Sequence, residues 1–169
     1  METQPSDREF VLAVIAGKIE RVQEMHEAGI PIALQDQYGW LPIHRAAAND
    51  HADIIRLLVA WHSPLESRGT DGWTPLHLAA ASCSPHAVTA LLEAGAEVDV
   101  RSETGATPLL LAIGPTVTAA LLATVHALVQ AGASVSARDE NGITPLTKAR
   151  SISNPAIQKL LTAAAQDSV

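Results

Sequence analysis

His44 and His77 are the residues whose chemistry first invites a functional reading. Each ends a Pro-x-His run, Pro42-Ile43-His44 and Pro75-Leu76-His77, and the two lie 33 positions apart. Imidazoles ligate metals and move protons near neutral pH. Metal ligands must converge on one ion, however, whereas equivalent positions in successive packed units stand about 8–10 Å apart, the usual distance between helix axes. Leu110 and Thr147 fill the same place further on and supply no imidazole. No metal site is therefore expected. Cys83 is the only cysteine, which excludes an intramolecular disulfide and a zinc site built of several thiolates. No base, orienting carboxylate or oxyanion donor accompanies it in recognisable form, so it reads as a small filler in a turn. A glycine-rich phosphate loop and a paired-histidine protease motif are both lacking. The expectation is a protein without catalytic residues or a cofactor.

These histidines sit inside a longer pattern that would position them. In Gly72-Trp73-Thr74-Pro75-Leu76-His77-Leu78-Ala79-Ala80 a turn glycine directly precedes a helix start. Thr74 stands at the N-cap and Pro75 at the first helical position, where its missing N–H is no loss. Gly39-Trp40-Leu41-Pro42-Ile43-His44 repeats the pattern 33 residues earlier, and Gly105-Ala106-Thr107-Pro108-Leu109 repeats it 33 residues later. A last copy, Gly142-Ile143-Thr144-Pro145-Leu146, follows after 37, so four residues are inserted before it. Upstream, Ser6-Asp7-Arg8-Glu9 has the spacing of a capping box, and the apolar run from Phe10 predicts a helix to about Ala16. Ile19, Val22 and Met25 predict a second helix ending before Gly29. Ser84-Pro85 and Asn154-Pro155 are expected to cap and start second helices. The final helix is expected over about 156–164, with a polar tail after it.

A 33-residue period carrying Thr-Pro-Leu-His-x-Ala and then Leu-Leu-x-x-Gly-Ala, fullest between Asp71 and Asp99, resembles the ankyrin repeat. The competing tetratricopeptide pattern lacks the Asp-x-x-Gly turn, and its Trp/Leu/Gly/Tyr pattern is not seen. The resemblance covers nearly the whole chain as one domain, 1–169, of about five units near 1–35, 36–68, 69–101, 102–138 and 139–165. It implies an all-α solenoid of stacked helix-turn-helix units with β-hairpin-like turns, in which the repeated histidine braces the turn through hydrogen bonds. It also implies a non-enzymatic scaffold or adaptor that binds another protein or peptide through its turns and concave face. The stretch from Gly39 to Ala47 looks like turns of ankyrin adaptors that recruit substrates to ubiquitin ligases, although no ligase-docking box follows Ala165. Two departures stand out: Leu41 replaces the threonine cap, and His62 stands where Gly29, Gly95 and Gly132 close second helices. With Pro64 close behind, a differently shaped turn is expected at Trp61-His62-Ser63-Pro64.

Carried over by position, the partner-binding face comprises Gln37, Tyr38, Trp40, Arg45, Ala48 and Asn49 in the second unit. Thr70, Asp71, Trp73, Ala81 and Ser82 belong to the third, with Arg68 and Arg101 at the turn edges. Glu103, Thr104 and Ala106 continue the row into the fourth, and Arg138, Glu140, Asn141 and Ile143 into the fifth. Tyr38, Trp40 and Trp73 are three of five aromatic residues, counting Phe, Trp and Tyr. The two tryptophans are expected side by side, and such residues are enriched at binding hot spots. Packing over the neighbouring unit is the competing role for each. The fourth unit carries no Asp, Glu, Lys or Arg from 104 to 137. Its extra residues, within 113–120, are expected to lengthen the turn between its helices or extend the second at its start. They form either part of a small-residue core or an apolar protrusion over 116–123 that docks a partner or a second copy.

Composition bounds the partners. The net charge is -7, with both signs scattered singly, which disfavours nucleic acid and anionic membrane. The N-terminus has no basic segment followed by an apolar run, and the most apolar stretch, Val117 to Val129, falls short of the roughly 20 residues that span a bilayer. A reducing setting, cytoplasmic or nuclear, is expected, and nothing in the sequence indicates a homo-oligomer.

Overall fold

The computed structural model describes residues 6–36 and 38–167. Among the described residues ten α-helices form five consecutive pairs: α1 (Asp7–Ile15) and α2 (Ile19–Glu27), α3 (Pro42–Ala48) and α4 (Ala52–Ala60), α5 (Pro75–Ala81) and α6 (Pro85–Glu93), α7 (Pro108–Ala112) and α8 (Ala119–Gln130), α9 (Pro145–Ser151) and α10 (Pro155–Asp167). First helices pack in one row, α1–α3–α5–α7–α9, and second helices in another, α2–α4–α6–α8–α10. The residues explain the two rows. First helices bury Ala46, Ala47, Ala79, Ala80, Ala112 and Ala149, small side chains that let neighbouring backbones approach. Second helices supply Ile54, Ile55, Leu58, Val88, Leu91, Val125 and Leu128, each fully buried and each stabilising by roughly 1.5–3 kcal/mol.

Helix starts mostly follow the sequence. Glu9 N–H donates to Ser6 Oγ and Ser6 N–H to Glu9 Oε2, at 3.2 and 3.3 Å, closing the expected capping box. Thr107 and Thr144 accept from Leu110 and Thr147 N–H, and Asn154 Oδ1 accepts from Ile157 N–H. Ser84 departs from expectation. Its hydroxyl donates to the Ala48 carbonyl, while the first-turn N–H of Ala87 is met by Asp50 Oδ1 of the preceding unit at 2.8 Å. A cap from a neighbouring unit replaces the local one and ties α6 to α3.

Two further expectations are corrected. The turn at His62 has the same shape as its glycine counterparts. His62 adopts φ 65°, His62 N–H donates to the Val59 carbonyl, and Ser63 N–H donates to the Leu58 carbonyl. These bonds match those of Gly29 and Ile30 after α2, so closure of the helix end outweighs the strain of a side chain in the left-handed region. The last helix also runs on to Asp167, because Ala163-Ala164-Ala165 favours helix and no glycine or proline stops it.

The insertion acts in both expected ways. Helix α7 has five residues where α5 has seven, residues 113–118 form the connection, and α8 has twelve residues where α6 has nine. Thr118 caps α8, accepting from Leu121 N–H at 3.0 Å. Cutting α7 short frees carbonyls that a longer helix would satisfy. The fifth unit supplies a partner for one of them, Lys148 Nζ donating to the Leu110 carbonyl at 2.7 Å, and within the connection Asn154 Nδ2 donates to the Gly114 carbonyl at 3.3 Å. Burial pushes the Lys148 amine below its usual range. Among the described residues no helix is long and apolar enough to cross a membrane.

Candidate functional site

Four tight turns lead into α3, α5, α7 and α9. In each, the first residue's N–H donates to the carbonyl of the residue four positions on: Asp36 to Trp40, Gly69 to Trp73, Ser102 to Ala106 and Asp139 to Ile143, at 3.0–3.1 Å. Glycine holds the fourth position at φ 72°, 69°, 71° and 74°, a conformation that a side chain would strain. The turns are then joined to one another. Thr70 N–H donates to the Tyr38 carbonyl, Glu103 N–H to Asp71 and Glu140 N–H to Thr104, at 3.0–3.1 Å. Arg68 Nη1 donates to its own Gly72 carbonyl and across to the Arg101 carbonyl at 2.7 Å, and Arg101 donates likewise to Gly105 and Arg138. The row is a ladder of main chain and guanidinium.

The repeated histidines lie beneath this ladder, fully buried. Nδ1 of His44 accepts from Leu41 N–H and Nδ1 of His77 from Thr74 N–H, both at 3.1 Å, which leaves the proton on Nε2. His44 Nε2–H faces the carbonyls of Ser67 and Trp73, and His77 Nε2–H donates to Ala106 at 3.0 Å. Each imidazole thus joins a helix start to the next unit. Burial pushes both below the usual histidine range. Cys83 is a free thiol pushed up by burial, the opposite of what activates a nucleophile. Among the described residues no group of three or more His, Cys, Asp and Glu is arranged to hold a metal ion.

Of the residues expected at the surface, Gln37 lies outside the described residues. Tyr38, Asn49, Arg68, Thr70, Asp71, Ala81, Ser82, Arg101, Glu103, Thr104, Arg138, Glu140, Asn141 and Ile143 are exposed. Trp40, Arg45, Ala48 and Trp73 are half-buried, and Ala106 is buried. The ladder brings the turn residues into one row, while Asn49 and Ser82 sit at the far ends of α3 and α5. Asp71, Glu103, Glu140 and Asn141 make no side-chain hydrogen bond or ion pair, whereas the three arginines are engaged with backbone carbonyls.

The tryptophans go to different neighbours. Trp40 lies against the Gly69 backbone, where an added Cβ would meet Trp40 Cδ1 at 1.9 Å, and Arg45 covers its ring at 4.5 Å. Trp73 stacks over His77 with centroids 6.5 Å apart. Tyr38 is the exposed aromatic, 49% accessible and 5.6 Å from the Trp40 ring. Asp36 anchors this cluster. Its carboxylate accepts from Tyr38 and Trp40 N–H and from Arg45 Nε. Burial alone would push that carboxyl up, but these bonds outweigh it and hold it below its usual range.

Two hollows were not foreseen. One, of about 270 Å³, is lined by Val11, Leu12, Leu34 and Asp36 beside the Tyr38 cluster, and Leu12 is 52% exposed there. Reading the Arg45 position across units, as Leu12, Arg45, Leu78, Leu111 and Lys148, would have signalled an apolar start to the first-helix face. The other, of about 430 Å³, lies at the connections between paired helices and is lined by Gly17, Asp50, His51, Arg56 and His86, with His86 Nδ1 2.7 Å from Asp50 Oδ2. It holds a carboxylate–imidazole pair but no serine or cysteine nucleophile.

Paired helices stacked in register and turns joined by an inter-unit ladder define a helical-repeat solenoid, the class of fold that presents an extended concave surface. A family model for ankyrin repeats in three copies matches residues 10–102 and 62–123, more than half of the chain, and the protein belongs to the ankyrin-repeat family. No curated protein matches the chain. Ankyrin repeats are generally protein–protein interaction modules, and the family is typically non-enzymatic.

Proposed function

We propose that this protein is a scaffold- or adaptor-type module that holds a partner protein or peptide along its turn row and the adjoining face of its first helices. One observation carries the reading: the row is fixed by main chain, arginine and histidine, while Tyr38, Asp71, Glu103, Glu140 and Asn141 are exposed on it. Side chains displayed on an already rigid backbone lose little entropy on binding, which favours recognition. The unengaged carboxylates and the charge of -7 speak for a protein partner over nucleic acid. A single unpaired cysteine suits an intracellular setting. No residue of the structure adds to the ubiquitin-ligase reading.

Affinity purification with cross-linking mass spectrometry tests this by identifying the partner and the face together. Cross-links are expected at the turn row. A variant carrying Glu103→Lys and Glu140→Lys, both exposed and free of side-chain bonds, is expected to melt like the parent and to lose the partner. Cross-links confined to α2, α4, α6 and α8, or capture undiminished in the variant, would overturn the reading.

A further inference from the structure

Three asparagines occur in the chain, Asn49, Asn141 and Asn154, and each side chain carries a latent reaction. The main-chain nitrogen of the following residue can attack the amide carbon, close a cyclic imide and expel ammonia. The reaction needs a side-chain amide that is not held elsewhere, access to water, and a following residue that has an N–H and does not crowd the ring.

Their surroundings separate the three. Asn154 is 1% exposed, its Nδ2 donates to the Gly114 carbonyl and its Oδ1 accepts from Ile157 N–H. Proline follows it, so the attacking N–H is missing. Asn49 Nδ2 donates to the Arg45 carbonyl at 2.8 Å, and the next residue is Asp50, whose own side chain is fixed by Ala87 N–H and His86. Asn141 differs on every count. It is exposed, its side chain makes no hydrogen bond or ion pair, and Gly142 follows with no Cβ to obstruct the approach. The exposure belongs to the position in the turn. Tyr38, Asp71 and Thr104 are its equivalents in turns that another unit does follow, and they are exposed as well. Gly142 N–H donates to the Asp139 carbonyl at 2.9 Å, a bond that must open before attack, and surface turns open locally at a fraction of the cost of global unfolding.

We propose that Asn141 is a self-modification site and that its product loosens the turn in front of α9. The step balances within the chain and water. Gly142 nitrogen gives up its proton and bonds to Asn141 Cγ, the Cγ–Nδ2 bond breaks, and ammonia leaves with a proton. Water then opens the imide. Attack at Cγ gives aspartate, whereas attack at the main-chain carbonyl gives isoaspartate, in which the chain runs through Cγ. Either product adds one negative charge beside Glu140 to a chain whose net charge is -7. Isoaspartate also adds a methylene to the main chain. The turn it lengthens is closed by Gly142 N–H on the Asp139 carbonyl, Asp139 N–H on the Ile143 carbonyl, and the N–H groups of Asn141 and Ile143 on Asp139 Oδ1. It leads directly into the Thr144 cap of α9, so slack in the turn reaches the helix start. This chemistry goes beyond the docking reading and holds whatever the row binds.

The test ages the folded protein in mildly alkaline buffer and follows it by peptide mass spectrometry with electron-based fragmentation, which tells aspartate from isoaspartate. Amide loss is expected at least about tenfold faster at Asn141 than at Asn49 or Asn154, a barrier difference of about 1.4 kcal/mol. Isoaspartate is expected among the products, and the rate should rise with pH because the attacking nitrogen must lose its proton. In the aged fraction that carries isoaspartate, hydrogen exchange is expected to speed up across residues 139–151. Asn141→Gln keeps the amide but must close a less favourable, larger ring, and it is expected to hold its mass over the same period. Loss at Asn49 as fast as at Asn141, or an Asn141 that stays intact in the folded protein while the urea-unfolded chain loses its amide, would overturn the proposal. So would aspartate as the sole product, an equal mass gain in Asn141→Gln, or unchanged exchange in the isoaspartate fraction.

Discussion

Gly69→Ala tests whether Trp40 is architecture. Gly69 has φ -100° and ψ -151°, an extended backbone that alanine also adopts, so the substitution meets no conformational barrier of its own. The obstacle is the indole, whose Cδ1 and Nε1 would lie 1.9 and 2.5 Å from the new Cβ. The ring has little room to withdraw, because Arg45 covers it and Tyr38 stands beside it. Overpacking of this kind costs roughly 1–3 kcal/mol. Without the indole the sign reverses: alanine in place of glycine on a compatible backbone gains about 0.4–1 kcal/mol by restricting the unfolded chain. Gly69→Ala should therefore destabilise the parent and stabilise Trp40→Ala, a coupling of about 1.5–4 kcal/mol in a double-mutant cycle. Urea unfolding at constant slope measures all four corners. An equal cost of Gly69→Ala in both backgrounds would refute the packing argument and return Trp40 to the list of purely surface residues.

Protonation should weaken the stack. His44 and His77 are held below the usual value of about 6.5, so between that value and their folded values the unfolded chain binds more protons. Their contribution is complete above about pH 6.5 and is lost as pH falls through the lowered folded values; urea midpoints at descending pH should drop more steeply in the parent than in His77→Gln, and parallel slopes would count against this. His62→Gly should raise stability by ~1 kcal/mol, since glycine takes φ 65° without strain, and a loss on chemical denaturation would mean that the side chain earns its place there. Lys148→Met should cost about 1–2 kcal/mol by stranding the Leu110 carbonyl. Hydrogen exchange should then accelerate first across α9 and α10, and uniform acceleration along the chain would refute the local origin.

The fold was legible because its determinants are local. Thr-Pro starts, turn glycines and a 33-residue spacing act within a few residues, so reading them in order recovers five units and the place of the insertion. What escaped is set between units. Asp50 capping α6, Lys148 reaching Leu110 and the arginines bridging successive turns span 33 to 38 positions, and none leaves a mark in a local window. His62 misled for a related reason. Its backbone cost is visible in the residue type, while the hydrogen bonds that outweigh it belong to the helix end. Within the candidate surface, position told which residues share a row but not which of them the ladder consumes.

That division decides what the row can evolve to bind. Arg68, Arg101, His44, His77 and the turn glycines hold each unit against the next, so a change in any of them alters stability before it alters recognition. Asp71, Glu103, Glu140 and Asn141 carry no such duty in their side chains, although the main chains of the first three are rungs of the ladder. Substituting those side chains leaves the hydrogen bonds intact, because backbone N–H and carbonyl groups persist whatever the residue. Specificity is therefore free to change at Glu103, Glu140 and Asn141 at little cost to folding, whereas Asp71 is held at φ 59°, a conformation that aspartate tolerates better than most residues. The exception is the Tyr38 end, where Asp36, Trp40 and Arg45 form one coupled cluster. Recognition there is tied to the packing of the second unit on the third.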